Sequence, residues 1–210
     1  MKHILCFGDS NTYGYRPDGL GRYDETIRWT KKVQRALGTA EYQIIEEGLC
    51  GRTTVFQDEL RIARKGVDIF PVLLETHQPL DLIIIMLGTN DCKTRYKASA
   101  GTIAKGMEQL ANMALSYVAH PSNILLVSPI HLGKGVGEEG YDVEFDSASE
   151  EVSKGLAKEY KKVADKLGTS FLDAASVAKP SKTDREHLDE EGHEAFSQLI
   201  LQWIKEKGKK

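Results

Sequence analysis

Apolar residues recur along the chain in two distinct rhythms. Five short runs are apolar at nearly every position: Ile4 to Phe7, Tyr42 to Ile45, Leu80 to Leu87, Ile124 to Val127 and Ser170 to Leu172. The third reads LDLIIIML and is apolar almost throughout after Asp81. A strand carries that pattern only when both of its faces are covered, as in a parallel sheet packed between helices.

Between the runs the spacing becomes helical. Trp29, Val33, Ala36 and Leu37 repeat on one face, and Gly38 follows as a stop. Ile103, Met107, Leu110, Ala114 and Tyr117 form a second stripe. Val152, Leu156, Tyr160, Val163 and Leu167 form a third, closed by Gly168. Ala195, Phe196, Leu199, Ile200 and Trp203 form the last. A shorter helix is expected around Val67 to Leu74, its limits blurred by Pro71. The tail from Lys205 to Lys210 is expected to fray. The order β-α-β-α-β-α-β-α-β-α predicts a three-layer α/β/α architecture with a five-stranded parallel sheet. With 210 residues, no internal repeat and no low-complexity linker, a single domain over 1–210 is expected.

In such a sheet, ligands bind beyond the carboxyl ends of the strands. Four segments of unusual composition fall there or before the last helix: GDSNT from Gly8, EEGLCGRTT from Glu46, LGTND from Leu87 and TDREHLDEEGH from Thr183. Acyl transfer needs a hydroxyl nucleophile, an imidazole to take its proton and a carboxylate to orient the imidazole. It also needs donors aimed at the oxyanion. Ser10, His187 and Asp184 can supply the first three. The backbone N–H groups of Ser10 and Gly51 and the side-chain amide of Asn90 can supply the donors, with Ser10 at a helix N-terminus.

Each residue also has a plainer reading. Ser10 alone would be a helix N-cap, Asn90 a turn residue and Gly51 a loop glycine of positive φ. Asp9 is expected to hold the turn, and Asp91 to cap the following helix. His193 is read as a cap or surface histidine and His131 as a residue lining the pocket. Trp29 is assigned to the core and Cys50 to packing. Asn11, Thr12 and Tyr13 are expected beside the substrate.

Taken in order, Gly8-Asp9-Ser10, Gly51, Gly88-Thr89-Asn90-Asp91 and Asp184-x-x-His187 resemble the four signature blocks of the SGNH (GDSL-type) hydrolases. EEGLCGRTT and QPLDLIIIMLGTND are most similar to the bacterial arylesterase and acyltransferase branch. The resemblance implies the flavodoxin-like SGNH-hydrolase fold. It implies a catalytic Ser10, His187 and Asp184, and an oxyanion hole of Ser10, Gly51 and Asn90. It implies a serine esterase acting on short-chain, acetyl-type esters of aryl or sugar alcohols, with acyl transfer to alcohols as a further activity. Relatives in this branch are often homo-oligomers. Within the same resemblance stand a lysophospholipase or thioesterase on longer acyl chains, and a carbohydrate deacetylase with Tyr13, Tyr15 and Tyr23 at its mouth. Outside it stands a non-catalytic α/β binding module.

Composition narrows the partners. The net charge of -3, with no long Lys/Arg block, argues against a nucleic-acid partner. No segment has the apolar length of a membrane span, and the first apolar run is too short for a signal-peptide core. Cys6, Cys50 and Cys92 are far apart and lack C-x-x-C spacing. Reduced thiols, a cytoplasmic location and no zinc site are expected. Gly135 to Gly140 matches G-x-G-x-x-G literally, yet Glu138 and Glu139 would face a pyrophosphate. That stretch is expected to be a flexible loop bordering the pocket, and no cofactor or metal is expected. No G-x-S-x-G is present, which excludes the nucleophile elbow of the α/β-hydrolases.

Overall fold

In the first strand, β1 (Lys2–Gly8), successive side chains enter two different cores. Ile4 and Cys6 pack on one face, Leu5 and Phe7 on the other, and all four are buried. The computed structural model describes residues 1–208. Its other strands are β2 (Tyr42–Gly48), β3 (Leu82–Met86), β4 (Ile124–Ser128) and β5 (Ser170–Asp173). All neighbours pair in parallel, in the order β2-β1-β3-β4-β5. The continuous apolar runs are thus explained by burial on both faces. The third run is trimmed from the expected Leu80–Leu87 to five residues, because Leu80 and Leu87 lie beyond the ladder.

The helices are α1 (Ser10–Tyr13), α2 (Trp29–Leu37), α3 (Gly66–Thr76), α4 (Ala100–Ala114), α5 (Ser147–Leu167) and α6 (Glu190–Lys207). Phe70, Leu74, Met107, Leu110, Leu156 and Tyr160 bring α3, α4 and α5 onto the Leu5/Phe7 face. Trp29, Val33, Phe196, Ile200 and Ile204 bring α2 and α6 onto the opposite face. Each large side chain buried in this way contributes about 1.5–3 kcal/mol.

Local signals set the ends. Asp146 and Ser149 form a reciprocal capping box at the start of α5, and Gly168 ends it with φ 71°. Pro71 is accommodated inside α3. The helical stripe through Tyr117 breaks earlier than expected, and residues 115–117 form a separate 3-10 turn. The last helix continues to Lys207 rather than fraying from Lys205, while Lys209 and Lys210 lie outside the described residues. No helix among the described residues is long and apolar enough to cross a membrane.

In the register, Gly8 stands opposite Gly48 on one side and Met86 on the other. The segments after β1, β2 and β3 therefore emerge together at one edge. The connection after β1 packs α2 on one face of the sheet and the connection after β3 packs α4 on the other, so the crevice between β1 and β3 is a topological switch point.

Candidate active site

Ser10 is delivered by an abrupt strand-to-helix turn. A Cβ on Gly8 would fall 2.1 Å from Thr12 Oγ1 and 2.9 Å from the Met86 carbonyl, so the turn closes only around glycine. Asp9 caps α1, its carboxylate accepting the Asn11 N–H at 3.0 Å. Asp9 is wholly buried, and burial raises its pKa to about 6. It holds the turn, as expected.

His187 comes from the loop before α6. There Asp184 Oδ1 accepts the N–H groups of Glu186 and His187, each at 3.0 Å. The Ser181 N–H donates to the His187 carbonyl at 2.7 Å, and the Arg185 N–H donates to the Ser181 carbonyl at 2.8 Å. Arg185 has a left-handed backbone, φ 62°. Its guanidinium lies 3.7 Å from the Tyr141 ring centroid and donates to the Gly135 carbonyl at 2.8 Å. This ties the His187 loop to the glycine-rich segment, which is a succession of turns bordering the cavity through Gly140.

The loop aims His187 across the sheet edge. Its Nδ1 is 2.6 Å from Asp184 Oδ2, and its Nε2 is 2.8 Å from Ser10 Oγ. An ionised carboxylate only accepts, so Nδ1 carries the proton and Nε2 accepts from the serine hydroxyl. Burial disfavours the imidazolium of His187, but the carboxylates of Glu186 and Asp184 outweigh it and raise the pKa above the ordinary value. Burial likewise works against the Asp184 carboxylate. The hydrogen bond and charge of His187 prevail, and its pKa is lowered.

Gly51 and Asn90 reach the same place. Gly51 has φ 83°, and a Cβ there would lie 2.2 Å from Arg61 Nη2. Asn90 donates one amide hydrogen to the Arg52 carbonyl at 3.1 Å, leaving the other available. Among the described residues, no protein acceptor takes the backbone N–H of Ser10 or of Gly51. Ser10, Gly51, Asn90, Asp184 and His187 all line one cavity of about 600 Å³.

Other expectations change. Asn11 and Thr12 are buried beneath the cavity, and neither they nor Tyr13 line it. Asn11 is instead a clamp: its Oδ1 accepts the Leu188 N–H at 2.8 Å, joining the serine helix to the histidine loop. Its carbonyl also accepts Trp29 Nε1 at 3.2 Å, and Trp29 is core. Of the three tyrosines expected at the mouth, only Tyr15 lines the cavity, with its ring 4.8 Å from that of His187. His131 lies outside the cavity. His193 is neither a cap nor a surface residue. It is fully buried beside Trp29, whose backbone N–H its Nδ1 accepts at 3.4 Å, and burial lowers its pKa to about 3. Asp91 does not cap a helix; its buried carboxylate takes the N–H and hydroxyl of Thr54, bridging the segments after β2 and β3. Burial raises its pKa to about 7. Cys50 does line the cavity, but burial raises its thiol pKa, which keeps it protonated.

Pattern reading passed over the charged residues that frame the site. Arg52 is buried, donates to the Gly8 carbonyl at 2.8 Å and stacks 4.2 Å from the Phe7 ring centroid. It therefore fixes β1 and, through its own carbonyl, Asn90. Arg61 and Lys93 line the cavity, Arg61 paired with Asp58 and Lys93 with Glu144. Glu186, inside the Asp184-x-x-His187 block, is buried with Oε1 3.6 Å from His187 Nε2. Its place two residues from Asp184 was visible in the sequence; its direction was not.

The model of the GDSL-like lipase/acylhydrolase family matches residues 6–195. Among solved structures, the chain is similar to an aryl esterase from M. smegmatis, with 31% identity and a TM-score of 0.87 over 98% of this chain and 99% of that one. It is also similar to a carbohydrate acetylesterase family member from Sinorhizobium meliloti, with 37% identity and a TM-score of 0.87 over 97% of each. A lipase/acylhydrolase from Enterococcus faecalis, at 21% identity and a TM-score of 0.71 over 99% of this chain and 97% of that one, shares the fold. No curated protein matches.

Proposed function

From the premise that the chain belongs to the GDSL-like lipase/acylhydrolase family and is a carboxylic ester hydrolase, we propose that it cleaves short-chain esters through a Ser10–His187–Asp184 triad. The observation that carries this reading is the unbroken hydrogen-bonded chain from Ser10 Oγ through His187 to Asp184, opening on the cavity that Gly51 and Asn90 share. In this scheme His187 Nε2 takes the Ser10 proton as Oγ attacks the ester carbonyl. The oxyanion accepts from the N–H groups of Ser10 and Gly51 and from Asn90 Nδ2. His187 then gives its proton to the departing alcohol. Water, or a second alcohol, resolves the acyl-enzyme.

The lining supports short acyl groups and polar alcohols over long chains. Among the described residues that line it, the apolar surface comes from Pro17, Val143, Cys50 and the rings of Tyr15 and Tyr141, set among the charged Asp18, Arg61, Lys93, Asp142, Glu144 and Glu186. A long acyl chain would have to displace water from charged groups without replacing their hydrogen bonds. The aryl esterase and carbohydrate acetylesterase neighbours agree with an acetyl-type substrate on an aryl or sugar alcohol.

A fluorophosphonate probe together with a p-nitrophenyl ester series from acetate to dodecanoate tests this reading. Expected are labelling confined to Ser10, no labelling of Ser10→Ala, and the highest kcat/KM at acetate. Folded protein that stays unlabelled would point to a binding module. A maximum at the long esters would point to a lysophospholipase or thioesterase.

A further inference from the structure

Among the described residues, Glu186 is the one buried acid at the site that takes no hydrogen bond from the protein. It is 7% exposed and lines the cavity, yet no donor reaches its carboxylate among the described residues; His187 Nε2, which accepts from Ser10, lies 3.6 Å from Oε1. The other acids around the cavity are served. Asp184 accepts from two backbone N–H groups and His187. Glu144 pairs with Lys93 and Arg95. Asp142 accepts the Glu144 N–H, and Asp18 accepts from Arg16 and the Leu20 N–H. The Glu186 carboxylate meets the cavity without a protein donor, so a ligand that displaces water from it must donate in that water's place or leave a charged acceptor unpaired.

Proton delivery decides which part of a substrate comes near. If His187 protonates the leaving alcohol, that oxygen must approach Nε2 to about 3 Å. With Oε1 3.6 Å from the same nitrogen, the leaving oxygen sits within about 7 Å of the Glu186 carboxylate. A hydroxyl on the next carbon of the alcohol spans that gap. An ammonium on the alcohol would also donate, but it would give up the hydration of a full charge on entering the cavity, a cost that a neutral hydroxyl does not carry.

We infer that Glu186 is a specificity-determining residue, whose carboxylate accepts a hydrogen bond from a hydroxyl beside the ester oxygen of a polyhydroxylated alcohol. The inference rests on the Ser10–His187 reading above. It places the alcohol half on the Glu186 side of His187 and ranks sugar and polyol esters above aryl esters.

The test compares 2-hydroxyethyl acetate with propyl acetate, two esters of nearly equal size that differ by the hydroxyl. kcat/KM is measured for wild type, Glu186→Leu and Glu186→Gln, each on its own pH plateau so that a shifted His187 titration cannot mimic the effect. Wild type is expected to favour the hydroxylated ester by on the order of tenfold, the size of one hydrogen bond to a charged group. Glu186→Leu should bring the ratio to about one, and Glu186→Gln, which keeps the shape and one acceptor oxygen, should fall between. An unchanged ratio in Glu186→Leu, or a ratio near one in wild type, overturns the inference. So does an equal slowing of both esters, which would mean that Glu186 acts only through His187. Full activity of Ser10→Ala on both esters would instead overturn the underlying triad, a result the ratio cannot imitate.

Discussion

Replacing Asp184 by asparagine changes the site by a single proton pattern, and the local hydrogen bonds dictate how. Asp184 Oδ1 accepts two backbone N–H groups at 3.0 Å, while Oδ2 faces His187 Nδ1 at 2.6 Å. An asparagine must turn its oxygen toward the two amides, because its NH2 group would otherwise point at two donors. The NH2 then faces Nδ1. That nitrogen must become the acceptor, so the proton moves to Nε2, the atom that should receive the Ser10 proton. The imidazole is held in the unproductive tautomer with its position hardly altered. A loss on the order of 10⁴ in kcat is expected, or about 5.5 kcal/mol of transition-state stabilisation. Thermal unfolding should change little, since the loop amides keep an acceptor. Steady-state hydrolysis of p-nitrophenyl acetate, read beside a melting curve, measures both. A folded Asp184→Asn protein retaining more than about a tenth of wild-type kcat would refute the assignment.

Asn90→Ala removes one donor from the cavity and should lower kcat by on the order of 10²–10³. It also leaves the Arg52 carbonyl without its partner at a cost of about 1 kcal/mol, so unchanged turnover in folded protein would contradict the oxyanion role. Asn11→Ala strands the buried Leu188 N–H, now bound at 2.8 Å. Urea unfolding should register a loss of about 1–3 kcal/mol, and kcat should fall with it because the serine helix and histidine loop are no longer joined; a loss of stability with full kcat would separate the two. For the pH profile, burial alone would depress the His187 pKa, but Glu186 and Asp184 raise it overall. Since only the neutral imidazole accepts the serine proton, kcat/KM should fall as pH drops through a midpoint above about 6.5. A midpoint well below that value would show that burial prevails.

The strands, the helical stripes and the four chemistry-bearing segments were legible in the sequence because each depends on local pattern. Leu82 to Met86 is apolar on consecutive positions whatever surrounds it, and Gly8-Asp9-Ser10 marks a strand-to-helix turn by composition alone. Asp184 and His187 were also readable, being three residues apart on one loop. What the sequence by itself determined is the inventory and its order: which residues can do chemistry, and that they fall at strand ends. Only the tertiary structure decided which of them meet. Ser10 and His187 are 177 positions apart, and their 2.8 Å contact lies beside the Asn11–Leu188 bond and above the register that brings Gly8, Gly48 and Met86 level. Burial was just as illegible for polar residues. His193 and Asp91 looked like caps because polar side chains near helix starts usually are, yet both sit in the interior, held by Trp29 and Thr54. Glu186 carried no signal, since a glutamate beside a histidine is ordinary until the loop turns its carboxylate inward. Direction and desolvation are properties of packing between distant segments, which no local spacing encodes.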